Sequence, residues 1–181
     1  GTGFPPHPHA EMEIITYVRE GAISHRDSLG NSGRTIAGDV QVMSAGSGIR
    51  HAEYNQEDEL TRIFQIWILP DERGGEPRWD TKAFPKGERS GELVVLASGD
   101  PADEALFIRA DARVLGATVK PGAPLIYEAD PSRHLYLVAA SGRIRVGDVE
   151  ADARDGLAIT AQERIEIEAL DEAEIVLVDA R

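Results

Sequence analysis

The sequence of 181 residues contains no cysteine, and this absence removes several kinds of chemistry. Without thiols the chain cannot form disulfides, thiolate zinc sites or cysteine-bound iron–sulfur clusters, and it cannot use cysteine as a nucleophile. Runs of about 20 apolar residues, which a membrane-spanning helix needs, are also missing. The sequence contains no P-loop, no dinucleotide fingerprint and no recognisable signal peptide. We therefore expect a soluble cytoplasmic protein.

Basic residues are scarce, since 19 lysines and arginines stand against 32 aspartates and glutamates. The formal net charge of −13 disfavours contact with nucleic acid or an anionic membrane, because phosphate groups are recognised by basic surfaces. We expect no direct nucleic-acid binding and no membrane partner. Small molecules and other proteins remain as candidate ligands.

Short strands dominate the sequence pattern. Glycine and proline occur 18 and 10 times, and long stretches with the period of an amphipathic helix are few. Short runs rich in Val, Ile and Tyr are separated by turn signals such as Asp155-Gly156. This pattern predicts an all-β sandwich or barrel. Strands are predicted at 12–20, 22–26, 39–44, 61–69, 92–97, 105–109, 114–119, 124–128, 135–139, 142–146, 156–159, 163–167 and 174–179.

The two halves of the chain are similar to each other. The sequences EIITYVREGAISH (13–25) and HLYLVAASGRIRV (134–146) superpose at an offset of 121 residues, which aligns Gly21 with Gly142. This weak repeat supports two similar β-barrels in tandem.

Residues 70–91 differ in character from the segments on either side. They contain three prolines, two adjacent glycines and many charges, which favours an interdomain connection over a long surface loop. We predict an N-terminal domain at 1–91, which includes this connection, and a C-terminal domain at 92–181.

The first candidate functional motif lies at the start of the chain. His7 and His9 are separated by one residue, so on a strand their imidazoles project from the same face, and Glu13 has the same parity. The tandem prolines Pro5 and Pro6 hold the approach extended. Two imidazoles at this spacing suit one metal ion, but an H-x-H pair alone is more often a surface pair.

A second motif of the same kind follows a turn marked by Gly46 and Gly48, where His51 and Glu53 are again two residues apart. Three imidazoles and a carboxylate suit Fe(II), Mn, Co, Ni, Cu or Zn better than Mg or Ca. Four protein ligands leave two positions open on an octahedral ion, where substrate or dioxygen can bind. Together the motifs predict one mononuclear transition-metal site.

These motifs carry a family resemblance. The spacing of His7, His9 and Glu13 resembles the first cupin motif, and residues 38–55 resemble the second. More narrowly, two stretches of the first half are similar to pirin, while the second half is similar only in pattern. The stretches are GFPPHPHAEMEIITYVREGAISHRDSLGNSG and GDVQVMSAGSGIRHAEYN.

The resemblance to pirin implies a bicupin, with two antiparallel jelly-roll-like β-barrels and a metal in the N-terminal one. It implies that His7, His9, His51 and Glu53 are the metal ligands, with iron the usual ion. Glu13 occupies a place where other cupins have a ligand, and we expect it beside the ligands or as a reserve ligand. The C-terminal barrel is expected to hold no metal.

The resemblance also implies a function. Some pirins are similar to quercetin 2,3-dioxygenases, so we expect a metal-dependent dioxygenase that uses dioxygen and a flavonol-like substrate. Glu53 is then the first candidate for the catalytic carboxylate that takes the substrate proton, and Glu13 is the second. Two alternatives remain: an iron-dependent transcriptional cofactor that binds a protein partner, and a metal-free structural cupin.

Several other residues have two interpretations. His25 stands near Asp27 and Asn31, which favour local backbone hydrogen bonds, so we expect a turn residue rather than a hydrogen-bond donor to a metal ligand. Phe64 is expected to pack in the barrel and Trp67 to lie in a core or an interface, although both could instead line a pocket for an aromatic substrate.

Two further expectations concern the second half of the chain and the segment before the first motif. At the offset of 121, Glu128, Asp130 and His134 align with the first motif, but no H-x-E counterpart follows, so we expect no second metal site. Pirins have further strands before the H-x-H motif, so we expect this chain to be a portion of a longer protein whose first barrel lacks its first strands.

Overall fold

The computed structural model describes residues 1–122 and 124–181, apart from the side chain of Glu88, and within them it is built from β-strands. The helices among the described residues are two short 3₁₀ turns, Lys86–Arg89 and Pro101–Asp103. None of the described helices is long and apolar enough to cross a membrane. The prediction of an all-β fold is confirmed.

The strands are β1 (Gly3–His9), β2 (Glu13–Glu20), β3 (Ala22–Asp27), β4 (Ser32–Ile36), β5 (Val40–Ser44), β6 (Ile49–Tyr54), β7 (Arg62–Ile68), β8 (Arg78–Lys82), β9 (Val94–Ser98), β10 (Leu106–Phe107), β11 (Ala112–Val119), β12 (Leu125–Glu128), β13 (His134–Ser141), β14 (Ile144–Val146), β15 (Val149–Ala151), β16 (Gly156–Thr160), β17 (Arg164–Ala169) and β18 (Ala173–Ala180). They divide between two compact units. Unit 1 comprises Gly1–Phe84 and Leu106–Ala110, and unit 2 comprises Pro85–Ala105 and Asp111–Arg181. The predicted domain boundary after residue 91 stays a prediction.

Unit 1 contains two four-stranded antiparallel sheets, with strand orders β1-β6-β3-β4 and β7-β2-β5-β8. Ile14 of β2, Met43 of β5 and Ile49 of β6 pack in one apolar cluster, so the two sheets share a core. The order of the first sheet has a functional consequence, because β6 lies between β1 and β3. The two histidine motifs are therefore on neighbouring strands.

Unit 2 has the same plan. One sheet contains β9-β11-β18-β13-β16 in that order, and the other contains β12-β17-β14-β15. Strand β17 shows the alternation that a half-buried strand requires, with Ile165 and Ile167 buried and Glu166 and Glu168 exposed. Buried residues of both sheets form one apolar cluster. This pair of antiparallel sheets is the predicted jelly-roll-like arrangement.

The internal repeat is visible at equivalent glycines. Gly21 joins β2 to β3 and Gly142 joins β13 to β14, and both have a φ of 71°. A Cβ on Gly21 would lie 2.7 Å from the carbonyl oxygen of Leu60, and one on Gly142 would overlap that of Glu172. Both turns therefore require glycine, because a side chain would be strained and would meet backbone. The prediction of a bicupin is confirmed.

Strands with polar sequences differ from the prediction. Residues 70–91 are more than a connection, because Arg78–Lys82 forms β8 and pairs with β5, where Trp79 lies opposite Met43. The sequence of β8, RWDTK, has one large apolar residue. The strand lies at the edge of its sheet and pairs with β5 alone. The edge strand β4 is missed in the same way. A strand that buries little of its surface shows no apolar alternation to detect.

Candidate metal centre

Strands β1 and β6 bring the two histidine motifs together. Their antiparallel register places His7 directly opposite His51, and His9 follows on the same face of β1. The register shifts between Phe4 and His7, where the two prolines cannot donate hydrogen bonds to the ladder. The structure thus brings three of the four predicted ligands to one place.

The three imidazoles converge closely. Their ring centroids are 4.5 Å apart for His7 and His51, 4.7 Å for His7 and His9, and 5.0 Å for His9 and His51. One ring nitrogen of each lies within 4.8 Å of the others, and the Nε2 atoms of His7 and His51 are 3.0 Å apart. Such a convergence is expected of side chains that share one ion.

The hydrogen bonds and electrostatics favour neutral rings. The Nδ1 atom of His7 lies 2.8 Å from the carbonyl oxygen of Pro5, which can only accept, so Nδ1 is the donor and Nε2 is the nitrogen left for a metal. Burial and the neighbouring imidazoles, His7 first, lower the pKa of His51 to about 3. Burial and then His7 also lower the pKa of His9. Neutral imidazole is the form that binds a metal.

Glu53 lies on β6 two residues after His51 and is only 1% exposed. The side-chain amide of Gln41 donates to its Oε1 at 2.5 Å, and that of Gln65 donates to its Oε2 at 2.9 Å. Burial raises the pKa of Glu53, against the lowering effect of these two amides. One oxygen of its carboxylate lies within 4.8 Å of ring nitrogens of His51 and His25. Glu53 therefore belongs to a second donor group, which shares only His51 with the group of His7 and His9.

His25 is the residue that the sequence interpretation missed. It lies on β3 opposite Glu53, not in a turn, and is 2% exposed. Its Nδ1 atom is 3.5 Å from Nδ1 of His51, and its Nε2 atom is 3.0 Å from Oδ2 of Asp27. Its ring also stacks on Trp79, with centroids 4.7 Å apart and an angle of 6° between the planes. The available signal was the H-x-D spacing, which repeats the two-residue spacing of the other motifs.

Comparison with known proteins agrees with this geometry. Residues 1–68 match the pirin family, and residues 95–180 match the quercetinase C-terminal cupin domain. The chain is 64% identical over 181 residues to a pirin-like protein of Caulobacter vibrioides, covering 99% of this chain and 78% of that protein. The chain belongs to the pirin family.

Two further pirin relatives are informative. The chain is 37% identical over 180 residues to quercetin 2,3-dioxygenase of Escherichia coli K12, covering 99% of this chain and 77% of that enzyme. The bacterial pirin YhhW of Escherichia coli, solved in complex with nickel(II), superposes with a TM-score of 0.92 at 35% identity, covering 99% of this chain and 77% of that chain.

A transition-metal ion fits the donors of this pirin. Three imidazoles converge, Nε2 of His7 faces Nε2 of His51, and a buried carboxylate stands next to them. Nitrogen donors with one carboxylate suit a divalent transition metal and not Mg or Ca. The chain can therefore hold a metal, whereas the full ligand set stays a prediction.

Glu13 does not share the site. Glu11 adopts a left-handed φ of 54°, which ends the regular alternation after β1, so Glu13 begins β2 in the other sheet. It is buried and accepts a hydrogen bond from the hydroxyl of Ser44 at 2.6 Å. Glu13 is absent from the donor groups found among the described residues.

An aromatic side chain stands beside the centre of this pirin. Trp67 is 54% exposed, and its ring meets that of His9 edge to face, with centroids 5.2 Å apart. Its Nε1 donates to Gln65 at 3.0 Å, and Gln65 in turn donates to Glu53. An exposure of 54% does not fit Trp67 as a core residue, and the alternative, an aromatic surface open to a ligand, stays a prediction.

In unit 2, the three residues that align with the first motif are exposed: Glu128, Asp130 and His134. Both donor groups found among the described residues lie in unit 1. The expectation of a metal-free C-terminal barrel stays a prediction.

Proposed function

We propose that this protein is a metal-dependent dioxygenase of the quercetin 2,3-dioxygenase type, with a flavonol-like substrate and dioxygen as co-substrate. The observation that carries the proposal is a cluster of three converging imidazoles with a buried carboxylate and an exposed indole beside it. The name of the relative from Escherichia coli K12 supports the same reaction.

In this proposal His7, His9, His51 and Glu53 hold one mononuclear ion, with iron as the first candidate. Mn, Co, Ni, Cu and Zn also suit the donors. When bound, a redox-active ion supplies a Lewis acid that polarises a substrate oxygen and a centre that can exchange electrons with dioxygen.

Glu53 is the proposed proton acceptor. A flavonol hydroxyl must lose its proton before the ring is electron-rich enough to react with dioxygen. Burial raises the pKa of Glu53, which makes its carboxylate a stronger base than an exposed glutamate. Gln41 and Gln65 hold both carboxylate oxygens in place, so the proton moves from the substrate hydroxyl to a fixed oxygen.

Trp67 is the proposed platform for the substrate. Its indole is exposed on one side, touches His9 on the other and is anchored through Gln65. Phe4 is also 54% exposed, and its ring centroid is 6.3 Å from that of His7. Offset stacking of aromatic rings contributes roughly 0.5–1.5 kcal/mol beyond burial, so this edge of the centre favours a flat aromatic ligand.

The test is anaerobic purification, elemental analysis and oxygen uptake with quercetin. We expect about one transition metal per chain and quercetin-dependent oxygen consumption, both lost in His9→Ala, because one of the converging imidazoles is removed. His134→Ala is the matched control, since His134 is an exposed histidine of unit 2, and it should retain both.

The other outcomes separate the alternatives. Turnover by metal-free protein would overturn the proposed mechanism. Stoichiometric metal without oxygen uptake would favour the iron-dependent transcriptional cofactor, which binds a protein partner. Protein that never takes up stoichiometric metal would favour a structural cupin.

A further inference from the structure

We propose that His25 is a positioning residue which, backed by Asp27, sets the tautomer and ring orientation of His51, so that an Asp27–His25–His51 relay organises the metal centre before any ion arrives. The inference deepens the proposed function, since it rests on metal binding at His51. It concerns a residue that is not itself among the proposed ligands.

The relay begins at the carboxylate of Asp27. The side chains of Asp27 and His25 are both fully buried, and Oδ2 of Asp27 lies 3.0 Å from Nε2 of His25. The carboxylate also accepts three other hydrogen bonds, from the backbone N–H of Leu29 at 2.9 Å, and from the backbone and side-chain N–H groups of Asn31, both at 3.0 Å. Surrounded by donors, it acts as an acceptor toward His25, so Nε2 of His25 carries a proton.

The proton on His25 determines what His51 must do. A neutral imidazole has one N–H, so Nδ1 of His25 holds a lone pair. That lone pair faces Nδ1 of His51 at 3.5 Å, a contact that is favourable only when Nδ1 of His51 is the donor. Nε2 of His51 is then left unprotonated, 3.0 Å from Nε2 of His7, where two lone pairs repel each other unless a cation lies between them.

The two opposing ligands are prepared in the same way. The carbonyl oxygen of Pro5 holds the proton of His7 on Nδ1, and His25 holds the proton of His51 on Nδ1. Both histidines therefore direct an Nε2 lone pair to the same point. A hydrogen-bond acceptor for the N–H of the uncoordinated ring nitrogen is what a histidine ligand needs to keep its tautomer and raise its basicity.

Trp79 sets the plane of the relay. Its indole stacks on the ring of His25 almost in parallel, at 6°. The indole also lies against Gly33 of β4, where a Cβ would overlap its six-membered ring. The rotation of His25 is therefore restricted by packing as well as by Asp27. These contacts explain why a histidine outside the ligand set is buried in the barrel.

The first experiment measures the affinity of metal-free protein for Ni(II), by competition with a chelator. His25→Phe keeps a ring on Trp79 but loses both nitrogens, and we expect Ni(II) to bind about 10- to 100-fold more weakly. His25→Asn places an amide oxygen near the position of Nδ1, and it should recover most of the affinity. His134→Phe is the matched control and should bind as the wild type does.

The second experiment reads the tautomer directly, by ¹⁵N NMR of the imidazole nitrogens in metal-free protein. We expect His51 to carry its proton on Nδ1 in the wild type and to shift toward Nε2 in His25→Phe. Asp27→Asn, which keeps the His25 ring, should cause the same shift because the amide can donate to His25. It serves as the second variant if His25→Phe does not fold.

The outcomes separate the inference from the proposed function. Wild-type His51 protonated on Nε2, or Ni(II) affinity of a folded His25→Phe variant within twofold of the wild type, overturns the relay. Failure of the wild type to bind any transition metal overturns the proposed function, while the tautomer of His51 still decides the relay.

Discussion

At the scale of the residue, neighbouring groups orient the proposed ligands through hydrogen bonds. The carbonyl oxygen of Pro5 orients His7, and two glutamine amides orient Glu53. Each of these contacts removes rotational freedom from a proposed ligand before the ion is bound. Trp67 is different, because its indole is held at one edge and exposed over the rest.

We predict that Trp67→Ala weakens substrate binding without removing the metal. Loss of the aromatic face should raise KM for quercetin about tenfold, which corresponds to about 1.4 kcal/mol of stacking and contact. Metal content should stay at the wild-type level, because Trp67 donates nothing to the ion. Steady-state oxygen uptake and elemental analysis measure the two effects. Leu69→Ala, at a nearby residue that is 73% exposed, is the control, and an equal change in both variants would count against a platform.

At the scale of the element, equivalent hairpins of the two units depend on a glycine. In unit 2, β13 and β14 meet at Gly142, whose backbone φ is positive and whose Cα faces the backbone of Glu172 and Ala173. This contact lies just before β18, which pairs with β13 along its whole length. The turn at Gly142 therefore lies where β13, β14 and the start of β18 meet.

We predict that Gly142→Ala destabilises the protein by about 2–3 kcal/mol, through both backbone strain and overlap with the carbonyl oxygen of Glu172. Gly147→Ala separates the two causes. Gly147 also has a positive φ, 57°, but a Cβ there would meet nothing within 4 Å. Its substitution should cost only about 1 kcal/mol. Denaturant unfolding measures both, and equal losses would show that the carbonyl of Glu172 moves aside at no cost.

At the scale of the whole molecule, the two units differ in what they bury. Nine of the thirteen buried polar or charged residues among the described positions belong to unit 1, and they include His25, His51 and Glu53. Unit 2 has a large apolar cluster and few buried polar groups. Burying polar groups reduces stability unless they are hydrogen-bonded, so the interior of unit 1 depends more on hydrogen bonds than that of unit 2 does.

One buried charge in unit 2 predicts how global stability depends on pH. Burial raises the pKa of Glu174 to about 7, while the ammonium of Lys86 lies 2.9 Å from its Oε2. The folded state therefore binds a proton more tightly than the unfolded state does, whose pKa is near 4.5. The stabilising contribution is full below about pH 4.5 and is lost as the pH rises through about 7.

We predict that the wild type loses stability relative to Glu174→Gln between pH 5 and pH 7.5, since the variant has no proton to lose. Denaturant unfolding at several pH values measures the difference. Glu172→Gln is the control, because Glu172 is exposed and its substitution should leave the pH dependence unchanged. A difference between wild type and Glu174→Gln that does not vary with pH would contradict the prediction.

The sequence alone was sufficient to predict an all-β fold, a tandem repeat and the placement of the two donors of each motif on one face of a strand. These properties are local, because alternation on a strand and the requirement for glycine at a tight turn depend on neighbouring residues. Polar edge strands such as β4 and β8 lacked that local signal. Counting residues to predict which face a side chain occupies fails at Glu13. The left-handed backbone of Glu11 ends the alternation of β1, and Glu13 lies in the other sheet.

Only the tertiary structure decided which motifs meet and what surrounds them. The spacing of His7 and His9 places them on one face, but their approach to His51 depends on the register of β1 against β6. The role of His25 depends on β3 pairing with the other side of β6, and the exposure of Trp67 depends on what covers β7. Strand pairing joins residues far apart in the chain, and its energy comes from the whole sheet, so no local pattern specifies it.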